Sequence, residues 1–380
     1  MKKKLNILFL SSWYPSRVMP TNGNFVQRHA EAITKHHNVV VVYPIGDDTK
    51  TEHNYEVIKE TNKGVKSIVV YFKTHSFFLI NTYRKLKAFK KGMSSVDGFD
   101  IIHANVLLPI GVLALLLKLK YAKPIIFTEH WTGYFHPKKS NLHFFKRFLL
   151  KLIASKSTFV VPVSNSLKEA MIKVGVKANY NVIGNAIDTN LFCVKEKTNS
   201  IYKILHISTL DNKHKNIVGL LEVIKQISNK RNDFVFQIIG DKNLQKTKEL
   251  VERMEIPLKL IDFQGTQTPK QIAKHMQEAN LYVSFSNYET FGVVYIEALA
   301  TGTPVISTDT GILMEFELND SYKITPIKDK EKLQFHIESY IEGNYKINTD
   351  IMREFAVKHF SYDAIAEQYS KLYFKALNDA

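Results

Sequence analysis

Short apolar runs rich in β-branched and aromatic residues alternate along this chain with longer stretches in which apolar positions recur every three or four residues. Runs apolar on both faces suit strands of a parallel sheet covered on both sides, and the longer stretches suit the helices that cross over between them. In the first half the pattern predicts strands at 5–10, 39–43, 67–72, 100–104, 124–128, 158–163 and 181–183, with helices at 24–36, 111–120, 142–154 and 166–174. In the second half, strands at 203–208, 234–239, 259–263, 281–285 and 304–307 alternate with helices at 217–228, 244–254, 269–278 and 293–300. After Lys328 the pattern is helical alone, at 331–342, 350–359 and 363–377. These last segments either cover the second sheet or return to the first domain. The expectation is an α/β protein of two Rossmann-like domains, 1–197 and 198–360, divided at the polar stretch Lys195–Ser200, with 361–380 as a terminal helix.

Composition narrows the class. A chain of 380 residues, 45% hydrophobic and 23% charged, can fill two cores of ordinary size, which excludes a disordered or fibrous chain. The single cysteine, Cys193, excludes an intramolecular disulfide and a cysteine-based zinc cluster. Met1–Lys4 is basic, but the apolar run behind it is short and reads as a first strand rather than a signal peptide. The longest apolar stretch, Val106–Leu117, contains Pro109 and Gly111 and falls short of the ~20 residues a bilayer span needs. The expectation is a soluble, cytoplasmic protein. Its net charge of +16 is uneven: residues 1–200 hold 30 Lys and Arg against 12 Asp and Glu, whereas 201–380 hold 22 against 24. Such a split suggests that the first half meets something anionic.

In sheets of this kind ligands bind where strand carboxyl ends lead into helix starts. The strongest candidate loop runs from Ser286 through Glu289, Phe291 and Gly292 into a helix beginning near Val293 and carrying Glu297; Gly302 ends that helix and Pro304 opens the next strand. Backbone N–H groups at the helix start and the positive end of its dipole suit a phosphate, and Gly292 permits close approach. Glu289 in the loop and Glu297 one turn into the helix can face one crevice, where carboxylates grip hydroxyl pairs. Two such acids also suit a hydrolase, a reading that leaves the second Rossmann-like domain unexplained.

The two glutamates, the first followed by Phe-Gly after one residue and the second opening Glu-Ala-Leu-Ala-Thr-Gly-Thr-Pro-Val, resemble the signature of retaining glycosyltransferases of family 4, also called glycosyl transferases group 1. The resemblance implies the GT-B architecture, two Rossmann-like domains facing a cleft. It implies that Glu297 holds the ribose of a nucleotide sugar, while Glu289 and the amides of Phe291, Gly292 and Val293 lie beside the transferred sugar. Leu205 to Ile217 resembles the segment whose lysine, here Lys215, neutralises the donor pyrophosphate. Thr209 stands where the family has an arginine, and Lys213 is the candidate substitute. Phe236 to Asp241 resembles the next strand and its glycine turn at Gly240, with Lys242 in place of a second glycine, and Phe263–Gly265 the segment whose backbone meets the nucleobase.

In the first half, Pro20 to His29 resembles the glycine loop facing the donor phosphates, with Gly23 retained, Asn24 replacing the second glycine and Arg28 on the helix behind it. His103 and His130 each sit near the end of a predicted strand, and His130 matches the family histidine that contacts the transferred sugar. No Asp-x-Asp, P-loop or Gly-x-Gly-x-x-Gly occurs. The expected enzyme is therefore a metal-independent, cofactor-free hexosyl- or glycosyltransferase. It would use a UDP- or GDP-linked donor and a glycan or lipid-linked acceptor, as in polysaccharide and cell-envelope synthesis. A nucleotide-sugar epimerase or phosphorylase of the same architecture, or a nucleic-acid-binding protein on that scaffold, remain the alternatives; no compact nucleic-acid motif favours the last.

Two segments of the first half, 77–91 and 138–151, mix aromatic and basic residues. In a helix Phe144, Phe145, Phe148 and Leu149 fall on one side with Lys146, Arg147 and Lys151 at its flanks, a pattern suited either to packing on the sheet or to lying on an anionic membrane at its cytoplasmic face.

Overall fold

In the computed structural model residues 3–49, 55–136, 142–197, 201–240, 243–318 and 321–379 are described. Lys138, Lys139, Asp241, Lys242 and 198–200, to which the sequence assigned parts, lie outside them. The chain forms two units, 1–186 with 362–380, and 187–361.

The first unit opens with β1 (Asn6–Ser11), α1 (Asn24–Ile33), β2 (Asn38–Gly46), β3 (Tyr55–Asn62), β4 (Val65–Phe72) and α2 (Phe78–Met93). It continues with β5 (Ile101–Asn105), α3 (Ile110–Tyr121), β6 (Ile125–Glu129), α4 (Phe144–Lys156), β7 (Phe159–Pro162) and α5 (Asn165–Lys173). The strands order β3-β4-β2-β1-β5-β6-β7. All pair in parallel except β3, which folds back antiparallel on β4. Register decides what each face buries. Ile7 pairs with Ile101, and His103 with Ile126, so these residues share one face with Phe9, Val39 and Val41 and pack on α1. The opposite face carries Val42, Ile68, Val70 and Phe127. Gly92 of α2 lies against the first three, and Gly111 of α3 against Phe127 and against Ile153 of α4. Right-handed crossovers give the same result: connections running from β4 toward β7 must put α2, α3 and α4 on one side, and β1 to β2 must put α1 on the other.

The second unit holds β8 (Tyr202–Ile207), α6 (Asn212–Lys215), α7 (Ile217–Ser228), β9 (Phe234–Ile239), α8 (Leu244–Arg253), β10 (Ile261–Gln264) and α9 (Pro269–Glu278). It continues with β11 (Leu281–Val283), α10 (Val293–Ala300), β12 (Val305–Thr308), β13 (Tyr322–Thr325), α11 (Lys330–Ile341) and α12 (Thr349–Phe360). Its six strands, β10-β9-β8-β11-β12-β13, are all parallel. The last helix, α13 (Tyr362–Asn378), belongs to the first unit, where Ile365, Tyr369 and Tyr373 join the core that α1 covers.

The division falls upstream of the expected break at 197. The Ile187 N–H donates to the Phe360 carbonyl at 2.7 Å and the Arg353 guanidinium to the Thr189 carbonyl at 2.6 Å, which ties 187–192 to the second unit. The predicted strand at 181–183 is irregular chain that borrows a bond from Val160. β3, β13, α2 and α6 have no counterpart in the pattern.

Candidate active site

The second unit assembles most of the predicted residues around the loop between β11 and α10. Gly292 caps α10 with φ +81°, in the left-handed region, and a Cβ there would sit 2.3 Å from the Tyr295 ring. Only glycine fits that position without rearrangement. Val293 begins the helix, and the first turn aims N–H groups out of the intrahelical ladder. The Phe291 ring is buried against Phe360 and its carbonyl accepts from the Ile312 N–H at 2.8 Å, so both are engaged within the fold. Glu297, one turn along α10, is buried.

Lys215 reaches this loop because a second loop is pinned to it. Asp211 caps α6, accepting from the Lys213 N–H at 3.1 Å, and also pairs with His214 Nδ1. Asn287 then joins the two loops: its side-chain amide donates to the Lys213 carbonyl at 3.0 Å and its N–H to the His214 carbonyl at 2.8 Å. So held, Lys215 Nζ donates to Glu289 Oε1, which also accepts from Ser286 Oγ at 3.2 Å. Burial works against the lysine's charge, but the Glu289 carboxylate outweighs it and raises the pKa above the ordinary lysine value. Behind the pair, buried His206 faces the Val283 carbonyl through Nδ1 and Ser208 Oγ through Nε2, both at 2.8 Å. A carbonyl only accepts, so Nδ1 carries the proton; burial holds this histidine at about 4, hence neutral. Gly240 closes β9 where a Cβ would meet Leu210 at 2.5 Å, and so lets the loop after β8 pack. Thr209 and Lys213 are exposed beside that loop.

The first unit presents a second group. Gly23 caps α1 with φ +73°, and a Cβ there would lie 2.4 Å from the Trp13 carbonyl. Arg28 is half-buried on α1. His130 follows β6, its ring 4.5 Å from that of Phe25 and 5.6 Å from that of His29. Burial, then the neighbouring His29 and His103, hold its pKa well below the usual range, so the ring is neutral. Its Nε2 is buried with no hydrogen-bond partner among the described residues. Glu129 fixes the backbone here. Its carboxylate accepts the N–H groups of Leu107, His130 and Trp131, each at 2.9 Å, and the Tyr134 hydroxyl at 3.0 Å. Beside it lies a cavity of about 300 Å³ lined by Trp13, Leu108, Trp131, Tyr134, Lys146 and Leu150, among others.

His103 does not join this group. It is fully buried in β5, with Nδ1 2.6 Å from the Tyr373 hydroxyl and Nε2 2.7 Å from Thr128 Oγ1, which meets the Tyr369 hydroxyl at 2.7 Å. Both ring nitrogens are occupied in fastening α13 to the sheet, a structural task that a strand-end position in sequence does not distinguish from ligand binding. The sequence reading also passed over Asn287, Asp211 and Glu129, whose work is backbone positioning and leaves no spacing signal.

Two family models divide the chain between them: Glycosyltransferase Family 4 over 23–191 and Glycosyl transferases group 1 over 192–358. The chain belongs to glycosyltransferase family 4. An uncharacterized glycosyltransferase of Methanocaldococcus jannaschii is 26% identical over 84% of this chain and 86% of its own length. Among solved structures, the sucrose-phosphate synthase of Thermosynechococcus elongatus superposes with a TM-score of 0.80, covering 99% of this chain and 100% of that one at 19% identity. Anabaena HepE, solved with UDP and glucose, superposes at 0.72 over 97% and 99% of the two chains, also at 19% identity. This family-4 glycosyltransferase thus has the two parallel-sheet, Rossmann-like domains of the GT-B fold.

Proposed function

We propose that this glycosyltransferase moves a sugar from a UDP- or GDP-linked donor to a hydroxyl of a glycan or lipid-linked acceptor, retaining the anomeric configuration and using no metal ion. The observation that carries the reading is the Lys215–Glu289 pair set beside the start of α10 at a left-handed Gly292. As the glycosidic bond breaks, charge grows on the leaving diphosphate. Lys215 and the amides of Phe291, Gly292 and Val293 supply fixed positive potential there, the part a metal plays elsewhere. Glu297 takes the ribose hydroxyls, and Glu289 lies beside the transferred sugar. In the first unit, His130 offers a neutral, unpartnered Nε2 to a sugar hydroxyl, and the tryptophan-lined cavity takes the acceptor. The UDP and glucose bound by HepE support the donor class.

The enzyme works at the cytoplasmic face of a membrane, bound peripherally; among the described residues no helix is long and apolar enough to cross one. A thermal-shift screen of UDP-, GDP- and ADP-sugars tests the donor, with the matching sugar nucleotide raising the midpoint. Analysis of the products then reads the reaction. A new glycoside of unchanged anomeric configuration, formed with EDTA present, is the expected result. Free sugar without an acceptor, dependence on inorganic phosphate, or activity lost to EDTA and restored by Mn²⁺ would each overturn the reading.

A further inference from the structure

The side chains facing away from the sheet on α2, α3 and α4 combine two properties that surface helices rarely share. The first is charge of one sign. The three helices carry eleven Lys and Arg residues and no Asp or Glu. Several of these cations rest on neutral groups: Lys118 on the Lys156 carbonyl at 2.9 Å, Arg147 on the Val174 carbonyl at 3.2 Å, and Arg84 on the Lys73 and Thr74 carbonyls. Among the described residues, these three helices hold no carboxylate to compensate that charge.

The second is an outward apolar stripe on each helix. On α4, Phe144, Phe148 and Leu152 recur at four-residue spacing, and Phe144 is 86% exposed. On α3 the buried stripe Ile110, Ala114 and Leu117 faces the sheet, while Val112, Leu116 and Leu119 form a second stripe with Leu119 82% exposed. On α2, Leu79, Tyr83 and Leu86 repeat the pattern, beside exposed Phe78. A helix of a globular domain ordinarily turns its apolar side inward. Exposed apolar stripes on three helices that cover the same face of the sheet call for a partner.

We propose that this three-helix face seats the protein on an anionic bilayer surface, its aromatic and aliphatic tips in the headgroup boundary and its lysines and arginines on lipid phosphates. Charge complementarity selects that occupant. A second copy docking face to face would bring like charges together. A nucleic acid would use the cations but not the leucines and valines, which do not stack on bases. A bilayer uses both sets, the long basic side chains reaching headgroups over buried apolar neighbours. The proposal rests on the lipid-acceptor part of the reading above and gives it a surface. Lys146 and Leu150 of α4 also line the tryptophan cavity, so one helix borders both bilayer and acceptor pocket.

The test is sedimentation of the intact chain, without donor or acceptor, with phosphatidylglycerol-containing vesicles against phosphatidylcholine alone. Pelleting with the anionic vesicles only, and release by salt, is expected. Lys90→Gln, Lys120→Gln and Lys151→Gln together, one on each helix, should weaken partitioning on the order of a hundredfold, roughly fivefold for each basic residue. Leu119→Ser with Phe144→Ser and Phe148→Ser should weaken it as well. Both variants should keep the wild-type melting temperature and nucleoside-diphosphate affinity. No pelleting at low salt, equal pelleting with neutral vesicles, or variants that bind as tightly as wild type would overturn the proposal. So would DNA binding tighter than vesicle binding, or a dimer abolished by the serine variant. Loss of donor binding with vesicle binding intact would sink the reaction reading instead and leave this surface standing.

Discussion

Lys215 and Glu289 stand 74 positions apart, on a four-residue helix and a strand-end loop, yet the lysine amine donates directly to the glutamate carboxylate. The cation proposed for the diphosphate is thus held by an internal anion, and a donor must compete for it. Glu289→Gln removes the competitor. It should preserve or tighten binding of the nucleoside diphosphate while turnover falls at least tenfold. Lys215→Ala should weaken that binding, with turnover falling further still because charge grows toward the transition state. Calorimetry and initial rates on both variants check the pattern; a Glu289→Gln protein that loses the nucleotide would show that the carboxylate itself holds it.

Glu297→Ala should remove the hydrogen bonding between a charged acceptor and the ribose, about 1.5–3 kcal/mol in all. Donor affinity then drops by one to two orders of magnitude with the fold intact. A nucleoside diphosphate that binds this variant as it binds the wild type refutes the ribose assignment.

The chain's two tryptophans, Trp13 and Trp131, both line the cavity of the first unit. Tryptophan fluorescence therefore reports on that cavity. An acceptor or its headgroup fragment should shift the emission, and Trp131→Ala should raise the acceptor KM several-fold while leaving donor affinity unchanged. Titration of the wild type followed at the tryptophan band tests this, and an emission that is silent to every productive acceptor rules the cavity out as its site.

Burial holds His29 in the first unit and His206 in the second at about 4. An unfolded histidine titrates near 6.5, so between about 6.5 and 4 the unfolded chain binds protons that the native one does not. Stability is then complete above the unfolded value and falls as the pH drops through this window, by up to ~1.4 kcal/mol per pH unit for each such histidine. The melting temperature should hold level above about pH 7 and decline from there to pH 5, with measurable proton uptake on unfolding. A midpoint flat across that range contradicts it.

The sequence made the repeating strand–helix pattern and the Glu289–Glu297 loop legible, because buried parallel strands and a glycine-started helix leave strong local marks. β3 left none: as an exposed edge strand its residues are mostly polar, and only pairing with β4 makes it a strand. His103 and His130 look alike in sequence, two histidines close to strand ends. What separates them is hydroxyl groups contributed by Thr128 and, from far along the chain, by Tyr373, which no local pattern encodes. The outward stripe of α3 was hidden for the opposite reason. A helix apolar on nearly every side shows no periodicity from which to read two faces.

The return of α13 bears on the order in which the molecule can be made. The Tyr362 hydroxyl bonds Glu31 across 331 positions, and Tyr369 and Tyr373 fill a core whose members outside α13 all lie before residue 187. On a ribosome the whole second unit emerges before the first can be finished. Until α13 arrives, Val26, Ala30 and Ile33 of α1 and the ring of His103 lack part of their cover. The first unit would wait as an open, aggregation-prone intermediate while its neighbour completes, which makes it the half most dependent on chaperones during synthesis.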